Sequence, residues 1–118
     1  QQQPYAILTL SVFCADTEEM AHALQLTYDL NLFRFFTGKS EGRSLTPQQA
    51  LSYPLGPHEK AFIASRENSR ASGTPTQVRQ RIEELAALHQ ADEIMAVTNI
   101  YYLEDRKRSF ELLRQAFA

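Results

Sequence analysis

A single cysteine in 118 residues, Cys14, rules out an internal disulfide framework and fits a reducing compartment such as the cytoplasm. Its thiol is expected inside a strand rather than at a redox or nucleophilic centre. Four scattered glycines leave no way to compose a GxGxxG dinucleotide fingerprint. The longest apolar stretch, residues 5–15, is broken by Thr9 and Ser11 and falls well short of the ~20 residues of a membrane helix. A net charge of -2 supplies no basic field for a phosphate backbone, so neither a nucleic acid nor a membrane is an expected partner. The chain opens Gln1-Gln2-Gln3-Pro4, with no initiator Met, basic n-region or small-residue cleavage site. No targeting signal is visible there, and the natural start is expected to lie upstream.

What remains has the make-up of a soluble globular chain, 43% hydrophobic and 22% charged. At this length one domain is expected, burying roughly two-thirds of its surface. Residues 5–14 (YAILTLSVFC) carry β-branched and aromatic side chains on alternating faces and predict a first strand. Asp16 or Thr17 caps a helix that runs to about residue 37 and stops at Gly38, with Met20, Leu24, Tyr28 and Leu32 on one stripe. Thr46-Pro47-Gln48-Gln49 opens a short helix, and residues 58–67 predict another. Residues 68–72 read as a loop. Thr74-Pro75-Thr76-Gln77 is a capping box for a helix carrying Val78, Ile82 and Leu85, residues 92–98 form a buried strand, and residues 104–117 form a last helix.

The expected order is therefore β-α-α-α-α-β-α, with two parallel strands. Two strands leave two open edges, which proteins pair or cover. Some other polypeptide, either upstream sequence or a second copy, is expected to cover them, which makes a homo-oligomer the expected state.

Few residues carry chemistry. Gly38-Lys39-Ser40 looks like the end of a phosphate-binding loop, but position 33 is Phe rather than Gly and a helix leads in, so the segment is a helix cap and turn. His22, His58 and His89 lack metal-ligand spacing, no GxSxG elbow occurs, and no metal or catalytic set is expected. Thr74 is expected to cap its own helix rather than to hold a phosphate. Asp92 and Glu93 are expected to pair with a nearby cation. Thr98 and Asn99 are the best ligand-binding candidates, because ligands of parallel α/β sheets lie beyond the carboxyl ends of the strands. Tyr53 and Phe62 are expected to pack rather than to stack on a ligand.

Gly73-Thr74-Pro75-Thr76-Gln77-Val78, the run Ala91-Asp92-Glu93-Ile94-Met95-Ala96-Val97-Thr98, and Asp105-Arg106 with Ser109-Phe110-Glu111-Leu112-Leu113 together resemble the C-terminal end of bacterial luciferase-like flavin-dependent monooxygenases. Pro4-Tyr5-Ala6 and Ala15-Asp16-Thr17 extend the resemblance over essentially the whole chain. It implies that residues 1–118 form one incomplete α/β segment of a larger domain, about strands 7 and 8 of a TIM-type (β/α)8 barrel with their helices. Intact members use reduced FMN and oxygen to oxidise an organic substrate, with electrons from a reductase or NAD(P)H. Most flavin contacts of such enzymes come from earlier strands, so this chain alone is expected to bind FMN weakly and to be inactive. Thr98 and Asn99 would be its cofactor-binding contribution. Arg106 and Ser109 read as helix-docking residues, Arg106 through a salt bridge to Glu93. The alternative is a stand-alone, non-catalytic α/β module that self-associates through its sheet edges.

Overall fold

The computed structural model describes residues 5–40 and 42–118. The leading Gln1–Pro4, with the Pro4 part of the resemblance, lies outside the described residues. In chain order the elements are β1 (Ile7–Cys14), α1 (Glu18–Phe36), α2 (Pro47–Leu51), α3 (Pro57–Ser65), a 3-10 turn (Glu67–Ser69), β2 (Arg70–Gly73), α4 (Pro75–Leu88), β3 (Glu93–Val97) and α5 (Leu103–Ala116).

The helix ends follow local chemistry. Thr17 caps α1, its Oγ1 accepting from the Met20 N–H at 3.1 Å. Asp16, the other cap candidate, instead takes two hydrogen bonds from Arg108, at 2.8 and 3.2 Å. The Thr46 box is reciprocal: Gln49 Oε1 accepts from the Thr46 N–H and Thr46 Oγ1 from the Gln49 N–H. At α4, Gln77 Oε1 accepts from the Thr74 N–H at 2.9 Å.

The sheet has three strands, all parallel, in the order β2-β1-β3. This corrects the expectation of a two-stranded barrel segment: the described residues form a small α/β unit with an open three-stranded parallel sheet and five α-helices. The segment read as a loop contains β2, a four-residue polar strand (RASG). Nothing in its composition marks it. It is a strand because β1 offers a free edge, which it follows in register from Ser11–Arg70 to Cys14–Gly73.

Alternation along β1 divides the core. Leu10, Val12 and Cys14, with Ala71 of β2, face Val78, Ile82 and Leu85 of α4 and Leu112 of α5. On the opposite face, α1 covers only the carboxyl end of β1, where Phe13 and Ala15 pack on Ala21, Leu24, Tyr28 and Ile100. A third cluster joins Leu26 and Leu30 of α1 to Ala50, with Tyr53 and Ile63 against it. Among the described residues no helix covers the amino-terminal half of the α1 face, and Ile7 (52% exposed) and Met95 (49%) stand open there. An all-parallel sheet normally has both faces covered.

Candidate functional site

Three local arrangements carry the polar and apolar features of the surface, the first at the carboxyl ends of the strands. β1 runs out through Cys14 and Ala15, whose N–H donates to the Gly73 carbonyl at 3.0 Å and ties that end to β2. β3 runs out into Thr98, Asn99 and Ile100. Ile100 is buried under Phe13, so the chain is pulled inward before α5 begins. Between this turn and α1 lies an open cavity of about 330 Å³, lined among others by Tyr28, Asn31, Asn99, Ile100, Tyr101 and Arg106. Asn99, one of the two ligand candidates, lines this cavity. Thr98 is not among the lining residues; its Oγ1 is buried with no hydrogen-bond partner among the described residues.

The second arrangement is a buried ion cluster. Asp29 on α1 is 1% exposed and accepts from Arg70 Nη1 at 2.6 Å, from Arg66 Nε at 3.1 Å and from Gln25 Nε2 at 3.1 Å. Burial holds the Arg70 guanidinium below its ordinary value, against the pull of Asp29. Arg66 also lies over the Tyr28 ring at 5.4 Å and the Phe62 ring at 6.0 Å. The cluster fastens α1 to the segment that carries β2. Sequence reasoning missed it, since its members lie 37 and 41 residues apart with no local pattern.

The third is the lateral edge at β3. There Ile82, Ile94, Ala96, Leu113 and Phe117 line an almost wholly apolar groove of about 270 Å³. Across the strand lie Ile7 and Met95.

Other candidates resolve into scaffold. Arg106 does not reach Glu93: its Nη2 donates to the Ile100 carbonyl at 3.2 Å, while Glu93 accepts from the Tyr5 hydroxyl at 2.8 Å. Asp92 accepts from the Ala6 N–H at 2.7 Å, so both carboxylates join the start of β3 to the start of β1, and among the described residues neither meets a cation. Ser109 is a docking residue. It is buried on α5, and its Oγ accepts the Cys14 N–H at 3.0 Å. Burial, with the Asp16 charge, pushes the Cys14 thiol up to about 11, which keeps it protonated and unreactive. Tyr53 packs in the α1–α2 cluster, and Phe62 stacks on Phe33 at 5.3 Å. Among the described residues no group of three or more His, Cys, Asp or Glu is placed to hold a metal ion.

No family model matches the chain. It is 32% identical over 114 residues to the uncharacterized protein YceB of Bacillus subtilis (strain 168), covering 97% of this chain and 34% of that protein. It is 34% identical over 115 residues to the uncharacterized protein YwcH of the same organism, with 98% and 34% covered. The crystal structure of apo-MsnO8 superposes with a TM-score of 0.77 at 28% identity, over 97% of this chain and 35% of that one. The chain thus spans about a third of the length of the proteins it matches. These findings correct the luciferase-like reading: no family model carries it, and the relatives are described only as uncharacterized. The flavoprotein, monooxygenase and barrel-segment expectations are withdrawn in favour of a small α/β unit similar to uncharacterized Bacillus proteins and to part of apo-MsnO8.

Proposed function

We propose that the chain is a non-catalytic α/β module that associates through its sheet edges, chiefly along β3. The observation that carries this reading is the combination of an unpaired parallel edge strand with apolar surface on both of its sides. Ile7 and Met95 lie open on one face, and the Ile82–Ile94–Ala96–Leu113–Phe117 groove lies on the other. Neither Lys nor Pro guards β3, the devices by which edges are usually protected. The radius of gyration, 15.1 Å, exceeds the ~13.5 Å of a compact domain of this length, in keeping with a sheet that stands partly uncovered.

A second polypeptide segment has its own support as the covering partner. Proteins about three times as long contain a matching stretch, so each has further chain available to lie against β3. A reducing compartment such as the cytoplasm suits the lone thiol, and no helix among the described residues is long and apolar enough to cross a membrane.

Sedimentation equilibrium tests the reading. Concentration-dependent self-association is expected, and Ile7→Lys with Met95→Lys is expected to weaken it by at least about tenfold. A wild-type chain that stays a well-folded monomer at every concentration sinks the proposal. Joining the unit to the remaining sequence of YwcH separates the two partners: closure within one chain abolishes association through β3, whereas self-association survives the fusion.

A further inference from the structure

We propose that the cavity beyond the carboxyl ends of β1 and β3 binds a small organic anion, an aromatic body carrying one carboxylate or phosphate head. Arg106 brings a full positive charge to the lining and no carboxylate lines the cavity among the described residues, so the electrostatic preference is for a negative head. Asn99 supplies an amide beside it, and the rings of Tyr28 and Tyr101 with Ile100 supply the apolar body of the wall. At about 330 Å³ the cavity is at the small end of ligand sites, the size of a single-ring molecule.

Three of the lining side chains, Tyr28, Asn31 and Arg106, are held before any ligand arrives. Tyr28 is fixed on one side by Phe13, with ring centroids 5.9 Å apart, and on the other by the Arg66 guanidinium at 5.4 Å. Asn31 spends both ends of its carboxamide on Leu45, accepting its N–H at 2.6 Å and donating to its carbonyl at 3.1 Å. That pins the loop after α1 as the far wall. Arg106 is oriented by its bond to the Ile100 carbonyl, which leaves its other N–H groups to meet an anion. Side chains already held in place lose little freedom on binding, which favours recognition of a small ligand. This site is separate from the β3 edge, so its test does not depend on how the chain associates.

Backbone amide NMR of the chain, titrated with benzoate, phenyl phosphate, benzamide and inorganic phosphate, decides the matter. Benzoate or phenyl phosphate is expected to shift the Asn99, Ile100 and Arg106 amides saturably, and the tighter of the two identifies the head group. Neutral benzamide is expected to bind at least about tenfold more weakly. Arg106→Gln is expected to erase that preference. Asn99→Asp, which places a negative charge in the wall without touching the Arg106–Ile100 bond, is expected to abolish anion binding and serves where the arginine variant misfolds. The proposal is overturned by benzamide binding as tightly as benzoate, by perturbations centred elsewhere, or by no saturable shift with either aryl anion. Inorganic phosphate binding as tightly as phenyl phosphate overturns the aromatic half.

Discussion

Two helix ends show how a single residue sets local strain. α1 and α4 finish in the same double-bonded cap: Lys39 N–H to Arg34 carbonyl and Gly38 N–H to Phe35 carbonyl in α1, Ala91 N–H to Ala86 carbonyl and Gln90 N–H to Ala87 carbonyl in α4. The cap needs a left-handed residue. Gly38 adopts it freely at φ +73°, whereas Gln90 is held there at φ +49°. Gln90→Gly is therefore expected to stabilise the chain by about 0.5–1 kcal/mol in urea unfolding. Gly73, at φ +146°, is not open to the reverse change, since a Cβ there would collide with the Gln77 side chain that caps α4.

The Cys14 thiol makes a pH prediction at the same scale. Its ordinary value is 9.0, and burial raises it to about 11 in the folded chain. Below pH 9 both states hold the proton. Between 9 and 11 only the unfolded state gives it up, so stability falls as pH rises through that window. The loss is at most about 2–3 kcal/mol. Cys14→Ala is expected to flatten the difference between unfolding curves taken at pH 8 and pH 11, other titrations being common to both proteins. The N-terminal caps at Thr17 and Thr46 were legible, because each involves partners three positions apart. Asp29 was not, because its buried charge is acceptable only beside two arginines that the fold brings back from distant sequence.

Among elements, the strong periodic ones were legible and the weak one was not. β1, α1, α4, β3 and α5 announce themselves by alternation or helical spacing, and their ends fall within a few residues of expectation. β2 is four residues of Arg, Ala, Ser and Gly, and only pairing with β1 makes it a strand. The placement of α5 depends on a bond of the same non-local kind. Ser109 was recognisable as a docking residue, but its partner, the backbone N–H of Cys14 at 3.0 Å, lies 95 residues away. Ser109→Ala leaves that N–H buried without an acceptor and is expected to cost about 1–3 kcal/mol in urea unfolding, with faster hydrogen exchange at Cys14. A helix shift that gave the N–H a new acceptor would leave that amide protected.

For the whole molecule, β1 is bonded on both sides and the outer strands on one. Hydrogen exchange is therefore expected to be slowest at Leu10 and Val12, and faster along β3 in dilute solution. The Glu93 N–H bonds to the Ala6 carbonyl, so by alternation the Ile94 and Ala96 N–H groups point to the open edge, and their protection is expected to rise with protein concentration while that at Val12 stays constant. Concentration-independent protection of all three would mean that β3 is not the associating edge.

Local sequence was enough to show an α/β chain, the approximate bounds of its longer helices and of two of its strands, and the absence of a long apolar helix among the described residues. Those properties depend on hydrogen bonds and side-chain alternation within a few residues. Tertiary structure alone set the strand order, made a strand of residues 70–73, chose Ile100 rather than Glu93 as the partner of Arg106, and gathered Tyr28, Asn99 and Arg106 around one cavity. Each of these depends on groups far apart in the chain, and which of the many possible encounters is kept is decided by how the buried faces of β1 pack.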